Sequence, residues 1–326
     1  MKKAVIFLLV VLALPISAVY ANDSVYLGGD SIGVVGEYEG LYVSGLFPFE
    51  IEDKKIDPSQ NIQIKDLIIK VNNNVVTDFS TFQTELKKFE DIYNEIPVTL
   101  IRNGKQMEST LITSFKNNKV EYGLYMKEKV LGVGTMTFYN PSNQTYGALG
   151  HPISSEDNEY LQEGDVYASD ITSVSPSSPN DAGEKNGNIN YEDKLGDIDQ
   201  NTNIGIYGNY IQDISEKEKL EIAEANEIHT GAAYFYTVLE GEKVEKFTIE
   251  ITSIKNDLND EKAIEFKVND KGLIERCGGI IHGMSGSPIV QDGKIIAAIT
   301  HVIMDDPKSG YAIYIKNMYD VSKEMN

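Results

Sequence analysis

The sequence predicts a mainly β protein, with a small α/β module at residues 24–115 ahead of a larger barrel-type domain at 120–326. Three observations carry this. From about Glu121 onward, short apolar runs such as LGVGTMTFYN, NIGIYGNY, AAYFYTV and KVEKFTIEITSI recur between Gly, Asn and Asp punctuation. That rhythm, at roughly ten residues per segment, belongs to antiparallel sheets and barrels. Helical periods are rare in the same stretch, and the first third of the chain instead mixes strand-like runs with one amphipathic segment.

Residues 1–21 begin with Lys2 and Lys3, run through apolar residues from Ala4 to Leu14, and end in Val19-Tyr20-Ala21. This is the layout of a secretory signal with a cleavage site. Ala4–Ala21 is also just long enough to be kept as one membrane anchor. Under either reading the remainder of the chain is exported.

In the first module, Ser31–Val35 and Gly40–Leu46 read as two short strands, and Ile64–Val71 as a further strand. Asn72-Asn73-Asn74 closes it with a turn that tolerates positive φ. Phe79–Leu86 has apolar residues at i, i+3 and i+7 with Ser80 as a cap candidate, which predicts a helix. Pro97–Lys105 reads as a strand running into a turn. In the second half, the polar stretch Asn180–Asn203 is expected as an exposed loop and Glu216–Glu227 as a helix. Ile289-Val290 and KIIAAIT read as a hairpin turning at Gln291-Asp292-Gly293.

Composition excludes several classes. With 50 acidic against 29 basic residues, the net charge is −21 over 326 residues. Nucleic acid and anionic membrane surfaces need basic patches and are excluded as partners. The single cysteine, Cys277, rules out an internal disulfide and any multi-cysteine metal site, and its apolar context marks it as a buried structural thiol. No phosphate loop, metal-ligand spacing or dinucleotide fingerprint is present, so neither a metal nor an organic cofactor is expected.

The chemistry concentrates at Gly283-Met284-Ser285-Gly286-Ser287-Pro288. A serine in a Gly-x-Ser-Gly-x-Pro frame is how trypsin-like peptidases present a nucleophile. Acyl transfer needs an exposed hydroxyl beside backbone N–H groups aimed at the developing oxyanion, and Gly283 and Ser285 are the expected donors. The same residue types are ordinary turn formers, so the frame needs a base. Of four histidines, His229 follows an acidic run and reads as surface, and His301 sits in an apolar strand. His282 lies too close in sequence to fold back on Ser285. His151, in ALGHPI at the end of an apolar strand, is the best-placed general base. Composition cannot select an orienting acid among 50 carboxylates. Asp270 closes a strand ahead of Ser285 and is attractive on that ground. Ser287 is a rival nucleophile without the preceding Gly-x frame.

The blocks GVGTMTFYNPSNQTYGALGHPI and IERCGGIIHGMSGSPIVQDGKIIAAITHVIMDDPKSGYAIYI resemble the stage IV sporulation protein B (SpoIVB) serine peptidases, family S55, of endospore-forming bacteria. Gly183–Gly187 and LGDIDQNTNIGIYG are similar to family segments too. The resemblance covers nearly the whole chain. It implies a chymotrypsin-like double β-barrel with Ser285 as nucleophile, His151 as base and Asp270 as orienting acid. The first module resembles a PDZ domain, with Gly40, Leu41, Tyr42 and Val43 in the place of the peptide-binding loop and IKDLIIKVNNNVV in the following segment. Lys65 there replaces the family's usual glycine.

The resemblance further implies a regulatory endopeptidase of endospore formation, exported into the space between forespore and mother cell. It would cleave itself and a membrane-bound regulator of an intramembrane metalloprotease, releasing a late mother-cell sigma factor. Two other readings stand beside it. One is an envelope quality-control serine protease, which usually carries its PDZ module after the protease domain. The other is a non-catalytic PDZ adaptor, which would have no need of Ser285, His151 and Asp270 together.

Overall fold

The computed structural model describes residues 23–153, 161–257 and 260–325. The signal-like segment 1–21 lies outside them, and among the described residues no helix is long and apolar enough to cross a membrane.

Strand β1 (Ser31–Leu46) is one continuous 16-residue strand where two were expected. Gly40, at φ +156°, lets the chain carry on past a point where Ile68 O would stand 2.5 Å from any Cβ. The upper half of β1 pairs with β2 (Leu67–Val71), which pairs with β3 (Asn94–Arg102), and β3 forms a hairpin with β4 (Lys105–Lys116). Helix α1 (Phe79–Leu86) starts where expected, but its cap is Asp78. The Asp78 carboxylate accepts from Thr81 N while the Thr81 hydroxyl accepts from Asp78 N, a reciprocal capping box. Phe82 and Leu86 of α1 bury against Leu41, Val43, Ile68 and Leu100. Each such side chain contributes about 1.5–3 kcal/mol of transfer free energy.

Strand β5 (Leu124–Asn140) runs out of this unit into the rest of the molecule. Its first residues pair antiparallel with β1, Leu124 opposite Leu46 and Lys127 opposite Tyr42. They and the residues just before them lie beside α1: the Tyr122 ring meets Phe82 edge-on at 5.4 Å, and Phe79 N donates to Glu128 Oε2 at 3.0 Å. The residues expected to form a peptide-binding loop, Gly40, Leu41, Tyr42 and Val43, are therefore buried within a strand. The edge that an added peptide would need is occupied by the protein's own Leu124–Lys127. That corrects the loop reading, because the local Gly-Leu-Tyr-Val pattern cannot reveal which distant segment claims a sheet edge.

The barrel strands close into two six-membered rings. The first joins the lower half of β1 to β5, β6 (Thr145–Ala148), β7 (Leu161–Ser175), β8 (Glu184–Ile198) and β9 (Gly205–Asn209). Its pairings are β1–β5, β5–β6, β6–β9, β1–β7 and β7–β8, and a Gly196–Tyr210 bridge closes it. The second ring, β10 (Gly231–Val238), β11 (Val244–Ile254), β12 (Ile264–Val268), β13 (Pro288–Gln291), β14 (Lys294–Val302) and β15 (Ser309–Tyr314), closes in the order β10–β11–β12–β15–β14–β13–β10. Closure removes free sheet edges. Helix α2 (Lys271–Cys277) lies in the chain between β12 and β13, and α3 (Ile315–Glu324) follows β15. The rings have separate cores, around Ile32, Met136, Tyr146 and Ile206 in the first and Phe235, Phe266, Leu273 and Ile299 in the second. Phe138, Ile295, Met318 and Tyr319 pack between them.

Two segments depart from expectation. Asn180–Asn203 contains strand β8, most of whose polar side chains are exposed or half-buried, Lys185 being the buried exception, while β7 pairs along its length; its composition reads as loop because so much of it faces water. Within Glu216–Glu227, Lys219–Ile222 is a strand that pairs with Ser24–Tyr26 and runs parallel to Lys294–Ile295, followed by a short turn of 3-10 helix at Ala225–Glu227. The Lys-Leu-Glu-Ile alternation has the period of a strand.

Candidate active site

From His282 to Ser287, the loop ahead of β13 is held by backbone bonds that leave over, among the described residues, the N–H groups of Gly283 and Ser285. Met284 N donates to Ile281 O, Gly286 N to Ile299 O and Ser287 N to Met284 O. On the acceptor side, Thr135 Oγ1 donates to Gly283 O at 2.7 Å, Thr135 N to Ser285 O at 3.0 Å, and Thr137 Oγ1 to Gly286 O at 2.7 Å. Among the described residues no acceptor takes the N–H of Gly283 or of Ser285, the pair an oxyanion would need. Gly283 and Gly286 sit at φ +91° and +90°. A Cβ on Gly286 would lie 2.2 Å from Thr135 O, so glycine there is a steric requirement.

His151 reaches the same place from the first ring. After β6 the chain turns through Leu149 and Gly150, both at positive φ (+69° and +72°). Leu149 is a non-glycine residue in this region, a conformation that persists only where the surroundings impose it. Here they do: its N–H donates to Thr135 O, and its backbone packs on Gly286. The turn delivers the imidazole into a cleft of about 530 Å³ that His151 and Ser285 both line. His151 Nδ1 lies 2.8 Å from Pro152 O. A carbonyl only accepts, so Nδ1 carries the hydrogen and Nε2 is left as the basic nitrogen. Burial, the largest influence, pulls the His151 pKa down, the Pro152 bond and the Glu261 charge push it up, and His282 pulls it further down. The ring is thereby favoured in its neutral form. The Ser285 hydroxyl donates to Thr300 O at 3.2 Å, so at rest its hydrogen is engaged by that carbonyl.

Asp270 is not beside His151. It is the N-cap of α2, where its carboxylate accepts from Leu273 N at 3.0 Å and Thr248 N at 3.3 Å. The reading of Asp270 as the acid that orients the imidazole is therefore corrected: both oxygens are engaged by backbone amides at the far end of a helix. The Nδ1 position of His151 is taken by Pro152 O, and among the described residues the carboxylate that lines the cleft is Glu261. Sequence spacing suggested Asp270 because it closes β12, and α2, which explains that aspartate, was not foreseen.

The other singled-out residues fall as follows. Ser287 is fully buried, with its hydroxyl 3.5 Å from Thr135 Oγ1. Cys277 is a buried free thiol, pushed up to about 11 by burial, and chemically inert. His229 is exposed and pairs with Asp292. His282 and His301, set aside on sequence grounds, both line the cleft, and the His301 ring lies 6.0 Å from that of His151. Sequence reading missed Thr135, Glu261 and Lys185. Lys185 is 5 % exposed, with burial lowering its pKa to about 7. Only its place in the Gly183–Gly187 segment had marked it.

A family model described as SpoIVB peptidase S55 matches residues 118–319. No curated protein matches the chain. Two solved structures are similar in part. An inactive serine-to-alanine mutant of Rv3671c from M. tuberculosis H37Rv has 10 % identity and a TM-score of 0.32, covering 60 % of this chain and 83 % of its own. The thermostable serine protease AL20 from an extremophilic microorganism has 11 % identity and a TM-score of 0.34, covering 60 % and 92 %. The family match alone spans well over half of the chain, from the last turn before β5 into α3, and takes in the whole second ring, every strand of the first ring except β1, and the residues that line the cleft. The chain belongs to the SpoIVB peptidase S55 family and is a serine peptidase.

Proposed function

We propose that this serine peptidase works from the cleft between the two rings, with Ser285 as nucleophile, His151 as general base and the N–H groups of Gly283 and Ser285 as oxyanion donors. One observation carries the assignment: each carbonyl from Ile281 to Ser287 accepts a hydrogen bond while the N–H groups of Gly283 and Ser285 have no acceptor among the described residues, next to an imidazole whose Nδ1 is held by Pro152 O, leaving Nε2 to take a proton. The Ser285 hydroxyl swings from Thr300 O toward Nε2 and attacks the scissile carbonyl carbon as His151 takes its proton. The carbonyl oxygen becomes an oxyanion held by the two N–H groups. Collapse expels the amine, which takes the proton from Nε2, and a water molecule repeats the sequence to free the acid and Ser285. Each oxyanion donor contributes about 3 kcal/mol to the transition state. The Pro152 carbonyl fixes the tautomer, the task an aspartate has in the commoner triad.

The biological role we propose is regulatory. A family whose name is a sporulation peptidase, a signal-like N-terminus and a small N-terminal unit spliced directly into the barrel by β5 support a timed, exported endopeptidase of endospore formation. It cleaves itself and a membrane-associated partner that restrains an intramembrane metalloprotease. The Ser285 hydroxyl bonded to Thr300 O supports a resting enzyme that is engaged by substrate or partner.

The test is to incubate the purified exported portion, wild type beside Ser285→Ala, and to map new N-termini. Labelling by a fluorophosphonate, located by mass spectrometry, reports the nucleophile separately from turnover. Fragments and label on Ser285 in the wild type alone support the reading. Label elsewhere, or equal cleavage in the mutant, overturns it.

A further inference from the structure

Lys185 stands out among buried titratable groups because the mechanism above has no use for it. It lies on β8, is 5 % exposed, and among the described residues no carboxylate pairs with it. Its Nζ donates to Thr237 Oγ1 at 2.7 Å and to Thr135 Oγ1 at 3.3 Å. The titratable group acting on it from the packed elements is the Cys277 thiol of α2; behind Cys277 stand Arg276 and Glu245, which pair with each other. Burying an amine without a counter-ion is unfavourable unless its donors are satisfied, and a methionine would fill the same volume without that penalty. An amine retained here needs a reason.

The reason lies in two peptide planes. In a trans peptide the C=O and the following N–H point in opposite directions, so whatever holds the carbonyl aims the N–H. The His282 carbonyl accepts from Lys185 N at 2.9 Å, which aims the Gly283 N–H the other way. The Gly283 carbonyl accepts from Thr135 Oγ1. Because that carbonyl can only accept, the Thr135 hydroxyl spends its hydrogen there, and the Lys185 amine is the donor to Thr135. The Lys185 stem also fills the space beside Gly283: a Cβ on that glycine would lie 3.0–3.2 Å from Lys185 Cδ, Cβ and Cγ. Main chain, stem and amine of one residue thus converge on Gly283 and fix the planes on both sides of it.

We propose that Lys185 is a positioning residue that locks Gly283 with its N–H toward the cleft, acting through the Lys185–Thr135–Gly283 chain. The proposal rests on the reading of Gly283 and Ser285 as oxyanion donors. Lys185 touches no reacting atom; it keeps the 282–284 backbone from flipping its N–H out of the site.

The experiment compares wild type, Ser285→Ala, Lys185→Met, Thr135→Val and the double variant on a fluorogenic peptide that the wild type cleaves, with melting curves for each. Lys185→Met keeps the stem and removes the amine; Thr135→Val keeps the volume and breaks the relay. Each single variant is expected to lose about 100-fold in kcat with KM within about threefold, the mark of an interaction realised in the transition state. The double variant should lose no more than the worse single one, since both cut the same chain. Wild-type kcat in folded Lys185→Met, with Ser285→Ala inactive, overturns the role of Lys185 and leaves the nucleophile reading standing. Full activity in Ser285→Ala overturns both. If Lys185→Met does not fold, Thr135→Val decides, and unchanged kcat there overturns the proposal. A crystal structure of either variant gives a readout without turnover: an unmoved Gly283 peptide, with its N–H still facing the cleft, counts against it.

Discussion

Gly286 and Leu149 meet backbone to backbone: a Cβ on Gly286 would stand 2.4 Å from Leu149 N. This contact joins the serine loop of one ring to the histidine turn of the other, so the geometry of the site is a packing constraint between rings. Gly286→Ala should cost about 3 kcal/mol, from overpacking added to the left-handed backbone penalty. Gly293→Ala, at φ +79° with nothing within 4 Å, should cost only about 1–2 kcal/mol. Melting curves of the two variants check the difference, and equal losses would mean that the contact contributes nothing.

Asp270 is expected to act on stability and not on chemistry. Asp270→Asn keeps a capping oxygen and should retain full peptidase activity, whereas Asp270→Ala should lose about 1 kcal/mol of stability with kcat preserved in the folded fraction. An acid that held the imidazole would lose about 10⁴-fold in kcat on the same Asn substitution. The ratio of kcat values for Asp270→Asn and wild type separates the two.

The pH dependence follows from His151. Burial holds its folded pKa below the ordinary 6.5, so the folded chain binds this proton less readily than the unfolded one. Its contribution to stability is present above pH 6.5 and is lost as pH falls through the folded value. Peptidase activity should be flat near pH 7 and fall on an acid limb below 6.5. Glu261→Gln removes a charge that raises the His151 pKa and should move that limb to lower pH. His282→Asn removes a charge that lowers it and should move the limb up. Rate profiles of the three proteins test the order, and identical limbs would assign the ionisation to another group.

The edge of β1 beside α1 is already paired with Leu124–Lys127. Peptides with free apolar C-termini should therefore show no measurable binding to the intact exported portion by calorimetry. The backbone amides paired along this ladder should exchange slowly, like those of the ring cores. Tight peptide binding with those amides still protected would place the peptide elsewhere on the surface.

Much of the local structure was legible because it depends on local rules. Helix α1 announces itself by its apolar spacing, the Asn72–Asn73 turn (φ +49° and +64°) by residues that tolerate positive φ, and the hairpin at Asp292–Gly293 by its turn residues. The Gly-x-Ser-Gly-x-Pro frame and ALGHPI were enough to mark Ser285 and His151, since the chemistry of a nucleophile and a base demands particular residue types. What the sequence by itself determined is the mainly β class, the expected nucleophile and base, and the family. Tertiary structure alone decided which carbonyl holds the imidazole, why Asp270 caps a helix, which strand fills the β1 edge, and that a lysine from a polar run lies beneath Gly283. Each of these is a pairing between residues far apart in the chain, such as Thr135 and Gly283 at a separation of 148. Composition and periodicity record which face of an element is apolar, and carry no information about which distant backbone group will complete its hydrogen bonds.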